Sequence, residues 1–134
     1  NSIMAFAEYE IEKVSTDEYQ VYKDEYLVIT CSSCRIALSY CILDKYKKPV
    51  DAQHLVELEE KLLTRQQEMM HYRHFVNSDK IDDMRREVAL HRLDTAKYQY
   101  QSLQEQLTKS INVAKYCQQK GFDNETIRLR NTAN

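Results

Sequence analysis

Two residue pairs have the types and spacing of zinc ligands. Cys31 and Cys34 form a Cys-x-x-Cys pair, and His71 and His74 form a His-x-x-His pair. Two thiolates and two imidazoles can fill the tetrahedral shell of Zn²⁺. On an antiparallel helical hairpin that turns near Pro49, however, the two pairs would be separated by roughly 10 Å along the axis. This distance argues against a shared ion, and we interpret the cysteines as core thiols and the histidines as hydrated side chains.

Glu68 and His71 match half of a di-iron carboxylate motif. The full site requires a second Glu-x-x-His pair and two further glutamates on neighbouring helices. Glu87 and His91 are the nearest candidates for the second pair, but their spacing is one residue too long. A metal-dependent helical-bundle enzyme using Glu68, His71 and His74 is therefore kept as an alternative. The main interpretation assigns no catalytic residue, no metal and no cofactor.

The segment 27–43 is almost uncharged and contributes to two apolar series. Its one charged residue is Arg35, in a chain where 30% of residues are charged. Both series advance by steps of three and four, which places their members on two faces of one helix. The run is too short and too polar for a membrane span, so we predict a helix buried inside a bundle. The two series are Leu27, Cys31, Cys34, Leu38 and Cys41, and Tyr19, Tyr22, Tyr26, Ile29, Ser33, Ile36, Tyr40 and Leu43.

Composition favours an all-α fold. The 134 residues include one glycine and one proline, and tight turns and phosphate-binding loops both depend on glycine for positive φ angles. Hairpins, Rossmann-type sites and Walker-type sites are therefore not expected. The net charge of −2 provides no field that would attract nucleic acid or anionic lipid. Cysteines on an apolar face and the lack of a signal-peptide pattern predict a reduced, cytoplasmic protein without membrane association.

Capping signals divide the chain into helices. Ser15 and Glu18 have the spacing of a capping box, Pro49 ends one helix, Ser78 begins another and Gly121 ends it. The short connections favour antiparallel neighbours. We therefore predict one domain, 1–134, folded as an antiparallel up-down-up bundle or coiled coil of three long helices with a short helix at each end. The predicted helices are 3–13, 17–47, 52–76, 79–120 and 124–130.

The last long helix is predicted to extend past its partners by about 20 Å. Its inward-facing series begins with Ile81, Met84 and Val88, and its far end would lack cover from the chain itself. An apolar stripe is rarely left in water, so we expect a second chain to cover that end. The tyrosines of segment 19–26 are a second expected contact, with packing against the first helix as the alternative. The residues expected to contact a partner are Tyr19, Tyr22, Tyr26, Leu103, Leu107, Ile111, Ala114 and Cys117.

These features predict a non-enzymatic helical module for protein–protein interaction. Such a module would be a scaffold, an assembly factor or an accessory subunit, and it would bind another protein or itself through helix faces. One further alternative is a small nucleic-acid-associated regulator, for example a viral one, which would use the mildly basic C-terminal segment. Its contact residues would be Lys109, Lys115, Lys120, Arg128 and Arg130.

Overall fold

Residues 2–31 form four β-strands joined by short turns, and three helices follow them. The computed structural model describes residues 2–120 and the backbone of 127–129. The fold is therefore α+β, and the predicted all-α bundle is wrong. The elements are β1 (Ser2–Phe6), β2 (Tyr9–Ser15), β3 (Glu18–Lys23), β4 (Tyr26–Cys31), α1 (Cys34–Tyr46), α2 (Pro49–Val76), α3 (Asp83–Gln119) and β5 (Ile127–Leu129).

The strands form one antiparallel sheet in the order β4-β3-β2-β1-β5. Along β2, the buried Tyr9 and Ile11 alternate with the half-buried Glu10 and Glu12, which is the two-residue period of a strand. Ile11 pairs with the buried Val21 of β3, so one face of the sheet carries the apolar side chains. Helix α1 packs against β2, β3 and β4, and it contributes buried side chains to the same core.

Tight turns form in this chain without glycine, which overturns the composition argument. Asp24 and Glu25 join β3 to β4 with φ angles of 50° and 73°, the positive values that a type I′ hairpin turn requires. Ala7, between β1 and β2, has a φ angle of 51°. Non-glycine residues occupy this region at a modest energetic cost, so a low glycine count does not exclude hairpins.

The predicted helices 3–13 and 17–47 are wrong because their polar signals belong to turns. Ser15 does not cap a helix; its Oγ accepts a hydrogen bond from the Asp17 N–H at 3.3 Å inside the turn between β2 and β3. The true helix start lies eighteen residues later, where the Ser33 Oγ accepts a hydrogen bond from the Ile36 N–H at 3.1 Å. Arg35, expected in a buried helix centre, is exposed in the first turn of α1.

The two long helices lie close to their predicted ranges. Helix α2 begins at Pro49, three residues before the predicted start, because proline fits the first helical position. Helix α3 begins at Asp83 and not at 79, since Asp82 provides the cap. In the predicted C-terminal helix 124–130, the described residues 127–129 are a strand paired with β1. The remainder of that range lies outside the described residues.

The chain divides into two compact units. The sheet unit comprises 1–56 and the chain from 109 onward, and the hairpin unit comprises 57–108. Ile111, Ala114 and Cys117 are each 3% exposed or less and belong to the sheet unit. The premise that this end of the last helix lacks cover from its own chain is therefore wrong. In the hairpin unit, the buried apolar side chains are Leu58, Leu62, Ala89, Leu93 and Ala96.

Candidate protein-docking groove on the helical hairpin

An open groove of about 330 Å³ lies between the two arms of the hairpin unit, near the turn that joins them. We call it the hairpin groove. Its α2 wall consists of three aromatic residues, His71, Tyr72 and Phe75. Its α3 wall consists of Met84, Arg85, Val88, Ala89 and Arg92. The α3 residues are spaced by one, three and four positions, which places them on one face of the helix.

Local hydrogen bonds fix the turn that positions the groove. The Asp82 carboxylate accepts a hydrogen bond from the Arg85 N–H at 2.8 Å and thereby caps α3. The Arg86 guanidinium donates to the backbone carbonyls of Ser78 and Ile81 in the same turn. These bonds satisfy polar groups of the turn and of the start of α3, and they fix the residue at which α3 begins.

The groove walls expose apolar side chains that the hairpin itself does not cover. Met84 is 76% exposed and Val88 is 47% exposed, although their spacing predicts inward-facing positions. The ring of Phe75 lies 4.9 Å from that of His71 at a steep angle, so the α2 wall is an aromatic edge. A hairpin has two layers, and the face of α3 that would contact a third layer is open to solvent. Exposed apolar side chains at neighbouring positions make the groove a candidate interaction surface.

The groove carries basic and no acidic side chains among the described residues that line it. Arg85 lies 3.8 Å from Asp82, and both side chains are largely exposed, so this ion pair is weak. Arg92 forms no ion pair with any residue of the described chain. The electrostatic character of the groove therefore favours a ligand with carboxylates at its edges.

Two other concave sites have weaker features for binding or catalysis. A groove of about 400 Å³ contains Lys61 and Arg65, but the Arg65 guanidinium is already bound to Glu68 at 3.1 Å and to Gln99 at 2.9 Å. A cavity of about 140 Å³ in the sheet unit is lined in part by Asp51, His54 and Ser110. No hydrogen bond joins these three described side chains, so the arrangement lacks the relay of a hydrolytic triad.

A polar cluster in the sheet unit is structural in character. The Tyr9 hydroxyl donates a hydrogen bond to the Asp44 carboxylate, and the Lys23 Nζ lies 3.1 Å from the same oxygen. Burial, followed by the bond to Asp44, raises the pKa of Tyr9. A tyrosine that acts as a base needs a lowered pKa, so this environment opposes that role and keeps the Tyr9 hydroxyl as a hydrogen-bond donor.

The residues weighed as zinc ligands, Cys31, Cys34, His71 and His74, are not grouped around a common point in the described structure. Among the residues that the structure describes, no three His, Cys, Asp or Glu side chains converge in a way that could hold a metal ion. Cys31 and Cys34 belong to the sheet unit, whereas His71 and His74 belong to the hairpin unit. Burial raises the pKa of the Cys34 and Cys41 thiols, which keeps both protonated and unreactive.

The three predicted contact tyrosines lie on the sheet. Tyr19 and Tyr22 are half-buried in β3, and the Tyr22 hydroxyl donates to the Gln20 side-chain oxygen at 3.0 Å. Tyr26 is largely exposed at the start of β4, which is an edge strand of the sheet. Of the predicted α3 contacts, Leu103 and Leu107 are half-buried in the hairpin unit, while the three that follow are buried.

The basic residues of the nucleic-acid alternative do not form one stripe. Lys109 and Lys115 are exposed on α3, and Lys120 is exposed directly after it, but at 100° per residue Lys115 lies on a different side of the helix from Lys109. The side chain of Arg128 and all of Arg130 lie outside the described residues. The described lysines therefore do not supply the continuous basic face that nucleic-acid binding requires.

The hairpin groove was not identified from sequence, although part of its signal was present. The three- and four-residue spacing of Met84 and Val88 marks a contact face, and the missing information was that no third helix of the described chain covers it. Arg85 and Arg92, seven residues apart, lie side by side next to that face. Arginines that lie together beside an apolar groove favour an acidic partner.

Comparison with models of protein families, with curated proteins and with solved structures finds no match to this chain. Within the described residues, the helices lack any stretch of sufficient length and hydrophobicity to cross a bilayer. The case for a function therefore depends on the geometry of the groove.

Proposed function

We propose that this protein is a non-enzymatic protein–protein interaction module that docks a helix in the hairpin groove. The observation that carries the proposal is the exposure of Met84 and Val88 in a groove whose α3 wall also carries Arg85 and Arg92. A bound helix would add a third layer to the hairpin and remove these apolar surfaces from water. The four free cysteines support a reducing, cytoplasmic setting for this interaction.

The dimensions of the groove suit a helix of two to three turns. Residues 84 to 92 span about 12 Å of the α3 axis, and the aromatic α2 wall gives the second contact line. A helix lying between the two arms contacts both through positions three and four residues apart. A contact of this length is at the low end of specific interfaces, below roughly 1,200 Å², which suits a reversible assembly.

The test compares one groove residue with a matched residue elsewhere on the hairpin. Val88→Asp places a charge in the groove. Leu63→Asp places the same charge outside the groove, at a residue of similar exposure: Leu63 is 44% exposed and Val88 is 47% exposed. The full chain is used as bait, and the bound protein, a second copy included, is identified by mass spectrometry. We expect Val88→Asp to lose that protein and Leu63→Asp to keep it, with equal helix content by circular dichroism.

Equal retention by both variants, or equal loss by both, would contradict the proposal. The first result would show that the groove is not used. The second would show that the loss comes from a general effect of charge on the hairpin.

A further inference from the structure

The face of α3 opposite the hairpin groove carries exposed carboxylates, which the groove lacks. Glu87, Leu90 and Asp94 are exposed and are spaced by three and four positions, so they form one stripe, which we call the acidic face. Glu87 and Asp94 form no ion pair with any described residue. Leu90 lies between them as an exposed apolar side chain.

The groove and the acidic face match in spacing. Arg85 and Arg92 are seven residues apart, and so are Glu87 and Asp94. Both pairs are therefore separated by about 10.5 Å along a helix axis. Seven residues are close to two helical turns, so both members of each pair lie on the same side of their helix. Two carboxylates on one helix can thus meet two guanidiniums on another without bending either backbone.

We infer that the occupant of the hairpin groove is the acidic face of α3 from a second copy of this chain. This inference rests on the proposed docking function. The helices pack antiparallel, with Arg85 against the second copy's Asp94 and Arg92 against its Glu87. In this alignment the second copy's Leu90 lies level with Ala89, the small buried residue at the floor of the groove. At 100° per residue, Leu90 lies to the same side of its carboxylates as Val88 lies of the arginines, so these two exposed apolar side chains face each other across the contact.

The two contact surfaces lie on different faces of the same helix, so the interface is heterologous. A copy that offers its acidic face to one neighbour keeps its own groove open for another. The chains therefore associate head to tail and do not stop at a symmetric dimer. Each contact covers about two helical turns, so association is weak and concentration-dependent.

Charge reversal tests this arrangement with the purified 134-residue chain alone. One variant carries Arg85→Glu and Arg92→Glu, and the other carries Glu87→Lys and Asp94→Lys. Sedimentation or light scattering then gives the average mass against concentration, starting from the monomer of 16.0 kDa. We expect the wild-type mass to rise past that of a dimer, and each variant to weaken association at least about tenfold.

An equimolar mixture of the two variants should restore association to within about threefold of the wild type. In the mixture, the acidic groove of the first variant meets the lysines of the second, and the unaltered groove of the second meets the carboxylates of the first. A control pair, Arg73→Glu with Glu105→Lys, alters exposed charges outside both surfaces and should leave association unchanged. Circular dichroism confirms that every variant is folded.

A wild-type chain that stays monomeric up to about 1 mM overturns the inference, as does a mixture that fails to regain association. A dimer that forms equally in both variants overturns it as well. Each of these results can be told apart from a failure of the proposed docking function. If the wild type is monomeric but Val88→Asp still loses a captured protein that Leu63→Asp keeps, the groove docks a different helix and the proposed function stands.

Discussion

At the scale of single residues, Asp44 connects the sheet to α1 through charge. Its carboxylate accepts a hydrogen bond from the Tyr9 hydroxyl and forms an ion pair with Lys23 at 3.1 Å. The Lys23 ammonium also lies 5.5 Å from the centre of the Tyr9 ring. A neighbouring ion pair, Lys45 with Glu8 at 3.4 Å, joins the same helix to the turn between β1 and β2. Tyr9 and Lys23 each contribute in their protonated form, so alkaline conditions should weaken this connection.

The direction of that pH effect follows from two raised pKa values. Burial, then the bond to Asp44, raises the pKa of Tyr9, and the bond to Asp44 raises that of Lys23. Both groups therefore bind protons more tightly in the folded chain. Their stabilising contribution is complete below about pH 10, where the unfolded side chains are still protonated, and it is lost as the pH rises above that value. We expect the free energy of unfolding to fall above about pH 10, and to fall less steeply in Tyr9→Phe.

Urea denaturation between about pH 8 and pH 11 measures this slope. Tyr26→Phe is the control, because it removes a hydroxyl from a largely exposed tyrosine. It should follow the wild-type slope. A Tyr9→Phe slope as steep as that of the wild type would show that the Asp44 cluster does not control alkaline stability.

At the scale of elements, β4 is an unusual edge strand. Residues 26–31 carry no charge, and Tyr26, Leu27 and Val28 are all exposed. Edge strands in soluble proteins are commonly protected by lysine or proline, because an uncharged edge is a template for pairing with other chains. In β4, the protection available is a register shift opposite Tyr22.

Leu27→Lys should therefore lower aggregation at high protein concentration. Leu27 is 52% exposed, so we expect the free energy of unfolding to change by less than about 1 kcal/mol. The matched control is Val14→Lys, at 53% exposure on β2, which is not an edge strand. Turbidity over time compares the two. An equal reduction in both variants would attribute the effect to net charge and not to the edge.

The two long helices can be predicted from the sequence, whereas the strands cannot. The ranges 52–76 and 79–120 lie close to α2 and α3, because long segments between Pro49 and the break near Ser78 leave few alternatives. The strands were missed because the three- and four-residue spacing of Tyr19, Tyr22 and Tyr26 also occurs across a hairpin. The type I′ turn at Asp24 and Glu25 lacks the glycine or asparagine that usually marks it.

At the scale of the whole molecule, apolar spacing locates contact faces but does not name what covers them. Ile111, Ala114 and Cys117 were expected to be uncovered and are buried, whereas Met84 and Val88 were expected to be inward and are exposed. Both errors have one cause. The N-terminal segment was taken for helices that pack along the bundle, and it forms a sheet instead. Burial depends on tertiary partners that a local pattern does not specify.

Ile111→Ala should destabilise the protein by about 2–4 kcal/mol, because it leaves a cavity in the core of the sheet unit. Val113→Ala, two residues along the same helix at 40% exposure, should cost less than about 1 kcal/mol. Chemical denaturation gives both values. Similar small losses would mean that this part of α3 is not covered by its own chain and would return it to the set of candidate contact surfaces.

The pairing of β5 with β1 has a consequence for how the protein is made. Met4 pairs with Leu129, and Phe6 pairs with Ile127, so this junction links positions far apart along the chain. The meander from β1 to β4 uses neighbouring segments and can assemble early during synthesis. The fifth strand can join only after the ribosome has produced α1, α2 and α3. Until then β1 presents an open backbone edge, and a nascent chain is most vulnerable to wrong strand pairing during that interval.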